Sequence, residues 1–96
     1  MDASFQFGRV AVKITGSGLE NEPWVISGVN DPSAAAMVEQ MVIKQMMDAT
    51  GLDWHIAGTA LLGIEDKRIA QLTVGVKGMD KTRDFYFDVT EAFKDQ

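Results

Sequence analysis

Residues 31–50 have the features of one long helix, and the rest of the chain must fold around it. Asp31 suits the N-cap position, because its carboxylate can accept hydrogen bonds from the free backbone N–H groups of the first turn. Pro32 suits the first helical position, where its missing N–H costs nothing. Gly51 suits the left-handed conformation that commonly ends a helix. Alanine, methionine, glutamine and lysine dominate the segment, and all four favour helix.

The apolar residues of this helix cover more of its circumference than one sheet contact requires. At 3.6 residues per turn, the polar stripe is narrow, and two apolar flanks lie beside it. A helix that packs on one sheet needs an apolar stripe of only about 100° or somewhat more. The stripe contains Gln40, Lys44 and Asp48, the first flank contains Ala35, Val38, Val42, Met46 and Ala49, and the second contains Ala36, Ile43 and Met47.

Three arrangements would bury both flanks. The sheet could curl over both, a second copy of the chain could cover one, or a different protein could do so. In the last two arrangements Ala36, Glu39, Ile43 and Met47 form the interaction surface. Glu39 projects between the flanks, where its carboxylate either reaches solvent or forms a charge pair at a subunit boundary.

The segments before the helix have the composition of strands. We predict one strand over residues 5–15, with a β-bulge near Gly8, because the alternation of apolar side chains changes phase there. Residues 24–29 predict a second strand. Gly16 and Gly18 begin the long loop that would join the two strands as a hairpin.

Three strand-like segments follow the helix: residues 54–65, 69–77 and 83–90. Short charged or glycine-containing turns separate them, so we predict an antiparallel meander. In the first segment every even position, from Trp54 to Ile64, is apolar or glycine, so we expect those side chains to face the helix. Glycines inside the strands predict kinks or bulges. Residues 91–96 predict a final helical turn.

These elements predict one α+β domain, which suits a chain of 96 residues. The predicted order is β-β-α-β-β-β, with a curled antiparallel sheet of four to five strands packed on the helix. This order resembles the cystatin-like plan of a sheet curled around one helix. The sequence has no cystatin motif, so the resemblance implies an architecture and no activity.

Composition disfavours several classes of function. The net charge of −5 repels phosphate backbones and anionic lipid, so we expect no nucleic-acid or membrane partner. The chain has no cysteine, which excludes disulfides and thiol chemistry. Residues 1–15 do not resemble a signal peptide, and no apolar run approaches the length of a membrane span. We therefore expect a cytoplasmic protein.

No catalytic, metal or cofactor signature stands out. His55 is the only histidine, and no serine lies in a nucleophile-elbow sequence. One histidine with scattered carboxylates is poor support for a metal site. Asp84 and Asp88 bracket Tyr86 on one strand, about 13 Å apart, which is too far for a glycosidase pair. We expect no cofactor and favour a protein that is not an enzyme.

Three functions remain open. The favoured one is an interaction or assembly module that forms homodimers or binds a protein partner, through the second helix flank or a sheet edge. The first alternative is a small-molecule binder or small enzyme with an apolar pocket, lined by Trp24, Trp54, His55 and Tyr86. The second alternative is an acidic inhibitor of a nucleic-acid enzyme, which the 14 acidic residues would permit.

Overall fold

One helix packs on a six-stranded mixed sheet in the computed structural model, which describes residues 3–7 and 10–94. This confirms the α+β class. The strands lie in the sheet in the order β1-β2-β3-β6-β5-β4. In chain order the elements are β1 (Ala3–Phe7), β2 (Val10–Thr15), β3 (Trp24–Ser27), α1 (Pro32–Asp48), β4 (Trp54–Ile64), β5 (Lys67–Val76), β6 (Thr82–Asp88) and a 3₁₀ helix (Thr90–Phe93).

The N-terminal part differs from the prediction, because three strands precede the helix. The chain reverses between β1 and β2, and Phe7 pairs with Val10 and Ala3 with Ile14. Odd positions of β1 therefore lie opposite even positions of β2. This reversal accounts for the change of phase from which we predicted a bulge. The position of that predicted bulge, near Gly8, lies outside the described residues. The predicted antiparallel pairing across the long loop is confirmed between β2 and β3.

The sheet is mixed because its two halves meet through a parallel pair. Trp24 of β3 pairs with Phe87 of β6, and Val25 pairs with Asp88. The prediction of a purely antiparallel sheet of four to five strands was wrong on this point. The cause is topological: α1 carries the chain across the sheet, and the C-terminal meander then returns its last strand to the side of β3.

The helix begins where the sequence predicts. Asp31 is the N-cap, and its carboxylate accepts a hydrogen bond of 3.0 Å from the backbone N–H of Ser33. Pro32 is the first helical residue, and α1 ends at Asp48, two residues earlier than predicted. Gly51 has a φ of 73°, which confirms the left-handed conformation expected just beyond a helix end.

The C-terminal meander is confirmed, with β5 antiparallel to both β4 and β6. The predicted alternation within β4 is wrong beyond Ile56. The register with β5 shifts between Ile56 and Gly58, and this irregularity exchanges the two faces of the strand. Leu61 therefore lies opposite Ala70 on the helix side, whereas Leu62 lies opposite Ile69 on the outer side.

The core lies between α1 and the inner face of the sheet. Val38 and Ile43 of the helix meet Phe87 of β6 there, and all three are fully buried. The other buried members come from α1, from β2, β3, β5 and β6, and from the segments that follow β3 and β6: Val12, Ile14, Trp24, Ile26, Val29, Ala35, Val42, Met47, Ala70, Leu72, Val74, Phe85, Val89 and Ala92.

Candidate interaction site

Strand β4 forms one edge of the sheet. It is 11 residues long, and its described strand neighbour is β5 alone. Along its outer side, alternate backbone N–H and C=O groups have no strand to pair with in the described part of the chain. Such an edge is a template for pairing with another strand, and most proteins shorten or charge it to prevent this.

The composition of β4 does little to discourage pairing. Its sequence, WHIAGTALLGI, contains no lysine, arginine, aspartate, glutamate or proline. Leu61 is 52% exposed and Ile64 is 51% exposed, so large aliphatic side chains stand at the edge on both faces of the sheet. The one protective feature of the strand is the irregularity between Ile56 and Gly58, which leaves residues 58–64 as a regular edge.

The start of β4 is fixed to the end of the helix. The indole Nε1 of Trp54 donates a hydrogen bond of 2.8 Å to Asp48 Oδ1, and Lys44 forms an ion pair with the other oxygen of the same carboxylate. The hydrogen bond from Lys44, followed by that from Trp54, lowers the pKa of Asp48. Residues 54–56 are therefore held by α1, while the later part of β4 extends beyond this anchor.

The four residues of the predicted ligand pocket do not converge. Trp54 packs against the core on the helix side, whereas the neighbouring side chain of His55 lies on the outer face. There its ring covers Gly75, close enough that a Cβ added to Gly75 would lie 2.8 Å from it. Two adjacent residues on opposite faces cannot line one cavity, so the sequence-based grouping has no geometric basis.

The other two members of that group are also apart. Trp24 is buried, with its ring stacked on Phe85 at a centroid distance of 5.8 Å, so it belongs to the core. Its Nε1 is buried without a hydrogen-bond partner among the described residues. Tyr86 lies on the outer face, where its hydroxyl is 3.4 Å from Gln71 Nε2. Burial, then the charges of Glu20 and Asp84, raise its pKa.

The residues predicted as a helix interaction surface lie mostly inside the protein. Ile43 is 0% exposed and Met47 is 8% exposed, because the sheet covers most of both apolar flanks of α1. Of the predicted set, only Ala36 is exposed. A second copy cannot reach Ile43 or Met47 without displacing the sheet. The helix does expose Met37 and Met41, but on the opposite side.

Glu39 is the one charged residue in the core of the described chain. It is 8% exposed and lies between the two buried flanks of α1. Loss of contact with water raises the pKa of its carboxyl from 4.5 to about 7. Ionisation of Glu39 therefore opposes folding near neutral pH, and within residues 3–7 and 10–94 its carboxylate forms no ion pair.

Neither a cluster of metal-ligating side chains nor a membrane-spanning helix is present among the described residues. Within residues 3–7 and 10–94, no three His, Cys, Asp or Glu side chains lie close enough together to hold an ion. No helix in the same part of the chain has the length and apolar character to cross a bilayer.

Comparison with known proteins adds no family. The sequence has no significant match to a protein-family model or a curated protein, and the fold has no significant match among solved structures.

Proposed function

We propose that this protein is a self-associating assembly module, in which β4 of one copy pairs antiparallel with β4 of a second copy. The observation that carries the proposal is the long, charge-free edge strand with exposed aliphatic side chains. Pairing would satisfy its outer backbone groups and cover Leu61 and Ile64. It would also join two six-stranded sheets into one continuous sheet. We place this module in the cytoplasm.

A second copy fits this edge because a twofold axis can place the same strand of both copies side by side and antiparallel. The regular part of β4 has its middle at Leu61, which would face Leu61 of the second copy. In this register Ala60 faces Leu62 of the second copy, and Glu65 faces Ala57. No acidic residue then meets another acidic residue directly, which matters for a chain with a net charge of −5.

The mass of the particle in solution tests this proposal. The chain has a mass of 10.5 kDa, and we expect light scattering after size-exclusion chromatography to give twice that mass at high micromolar concentration. Leu61→Lys places a charge at the middle of the edge and should return the protein to a monomer. Met37→Lys is the matched control, because it changes an equally exposed apolar residue, on the outer side of α1.

Disulfide trapping tests the register. The chain has no cysteine of its own, so a single introduced thiol can form an intermolecular disulfide only with its copy. Paired residues in an antiparallel sheet have Cα atoms about 4.5–5.5 Å apart, which a disulfide can span. Leu61→Cys should therefore form a covalent dimer under mild oxidation, faster than Thr59→Cys, Gly63→Cys or Met37→Cys.

Two outcomes would contradict the proposal. One is a monomer at about 0.5 mM, a concentration well above the dissociation constants of specific dimers. The other is a dimer of unchanged mass in Leu61→Lys. A ladder of larger species would indicate that β4 pairs with β1 of the next copy, because such a head-to-tail contact does not close, and this would overturn the twofold arrangement.

A further inference from the structure

A cavity of about 350 Å³ opens where the end of α1 meets the hairpin between β5 and β6. It lies on the helix side of the sheet, and no residue of β4 lines it. The cavity is therefore separate from the proposed association edge. Met46 and Met47 of α1, Val74 and Val76 of β5, and Phe85 of β6 form its apolar walls.

The walls of this cavity are apolar and adaptable. Two methionines of α1 face two valines of β5 and the ring of Phe85. Unbranched thioether side chains can adjust to ligands of different shape. At the mouth, Leu52 is 47% exposed and Met79 is 59% exposed, so the apolar lining continues outward to solvent. A flexible apolar chain could follow this surface into the cavity.

Two cations stand in the lining of this apolar cavity. Arg83 holds its guanidinium carbon 5.0 Å from the centroid of the Phe85 ring, and Lys81 comes from the hairpin beside it. Within residues 3–7 and 10–94, the one ion pair joins Lys44 to Asp48, so neither cation has a carboxylate partner there. In an acidic protein, this placement provides a local site for an anion.

We propose that this cavity binds medium-chain carboxylates such as decanoate. The alkyl chain would lie between the methionines and the valines, and the carboxylate would lie at the mouth between Lys81 and Arg83. The volume is near the lower end of the range for small-ligand sites, about 300–1,000 Å³, which suits a single unbranched chain. A neutral chain of the same length would lack the attraction of the two cations.

The methionine methyl groups give a direct test. Met46, Met47 and Met79 line the cavity, whereas Met37 and Met41 lie on the exposed side of α1. In protein labelled with ¹³C at the methionine methyl groups, decanoate below its micelle concentration should shift the first three signals and leave the other two in place. Two fewer methylene groups, as in octanoate, should weaken binding about tenfold.

Substitution of the cations tests the position of the carboxylate. Arg83→Gln and Lys81→Gln should each weaken decanoate binding about threefold to tenfold, and should leave decanol binding unchanged. Lys67→Gln is the matched control, because it removes an exposed cation outside the cavity. Decanoate should also bind to the Leu61→Lys variant with the affinity of the unchanged protein, since β4 takes no part.

Three results would overturn the proposal. Shifts of all five described methionine signals would indicate detergent-like adsorption over the surface. No shift at Met46, Met47 or Met79 would show that the cavity does not admit the chain. Equal affinity for decanoate and decanol, unchanged by the Arg83 and Lys81 substitutions, would show that the cations do not select a carboxylate.

Discussion

Glu39 places a carboxyl group in the middle of the buried face of α1. A neutral side chain would pack there without the free-energy cost of removing a charge from water. Its sequence position inside the apolar arc marked it as unusual, but two interpretations stayed open. The structure shows that it is buried against its own sheet. The boundary between subunits that one interpretation required is therefore not at this residue.

The pH dependence of stability should report this burial. The folded protein binds a proton at Glu39 between pH 4.5 and about 7, where the unfolded chain has released it. The free energy of unfolding should therefore decrease as the pH rises through this range. We expect a decrease of about 2 kcal/mol, smaller than the full pKa shift implies, because the carboxyl retains some contact with water.

Urea denaturation at pH 5 and pH 8 measures this decrease, ideally in the Leu61→Lys background so that association does not contribute. Glu39→Gln keeps the size of the side chain and removes its titration. The difference between the two pH values should shrink by about 2 kcal/mol in this variant. An identical pH profile in both proteins would show that Glu39 ionises freely in the folded state.

Ile43 and Ala36 both belong to the set predicted as an interaction surface, but Ile43 is buried and Ala36 is exposed. Substitutions at the two positions should therefore differ in their effect on stability. Ile43→Ala should lower the free energy of unfolding by about 3 kcal/mol, since it leaves a cavity in a packed core. Ala36→Lys should change it by less than about 0.5 kcal/mol. Thermal or urea unfolding of both variants checks this. A small effect at Ile43 would mean that the helix does not pack on the sheet as described.

At the scale of elements, the helix was predictable because local signals mark both of its ends. Asp31, Pro32 and Gly51 act through their own backbone geometry, which does not depend on the rest of the fold. The faces of α1 were harder to assign. A helical wheel shows which residues are apolar, but the width of the sheet that covers them depends on strands distant in sequence.

The N-cap gives a prediction at this scale. Asp31→Ala removes the acceptor of the hydrogen bond from Ser33 N, and should lower the free energy of unfolding by about 1 kcal/mol. Asp31→Asn retains an oxygen acceptor and should lose much less. Urea denaturation of the two variants makes the comparison. Equal losses would show that the negative charge, and not the cap hydrogen bond, is responsible.

Strand β4 shows where sequence reasoning fails. Its alternation predicts one apolar face, but a single irregularity near Gly58 moves Leu62 and Ile64 to the outer side. The run of eleven residues without a charge, from Trp54 to Ile64, was visible in the sequence. The sequence did not show that this run forms an edge of the sheet, because β4 takes the edge position only when β6 pairs with β3.

At the scale of the whole molecule, net charge should control association. Two copies that each carry a charge of −5 repel one another at long range. Added salt screens this repulsion, whereas pairing between the neutral edges needs no charge. We therefore expect the dimer to become tighter, by about twofold to fivefold in dissociation constant, between about 20 and about 300 mM NaCl.

Sedimentation velocity at the two salt concentrations measures this change, with Leu61→Lys as the monomeric reference. An acidic inhibitor that binds a basic partner would behave in the opposite way and weaken with salt. Dissociation of the homodimer by salt would indicate an interface held by ion pairs, and would contradict an edge-to-edge contact through β4.

The parallel pair between β3 and β6 has a consequence for how the chain reaches this fold. Trp24 and Phe87 are 63 positions apart in sequence, yet they lie side by side in the middle of the sheet. During synthesis the first three strands and the helix emerge long before the strand that joins the halves. The edge of β3 that pairs with β6 must therefore stay without this partner until residues 82–88 have left the ribosome.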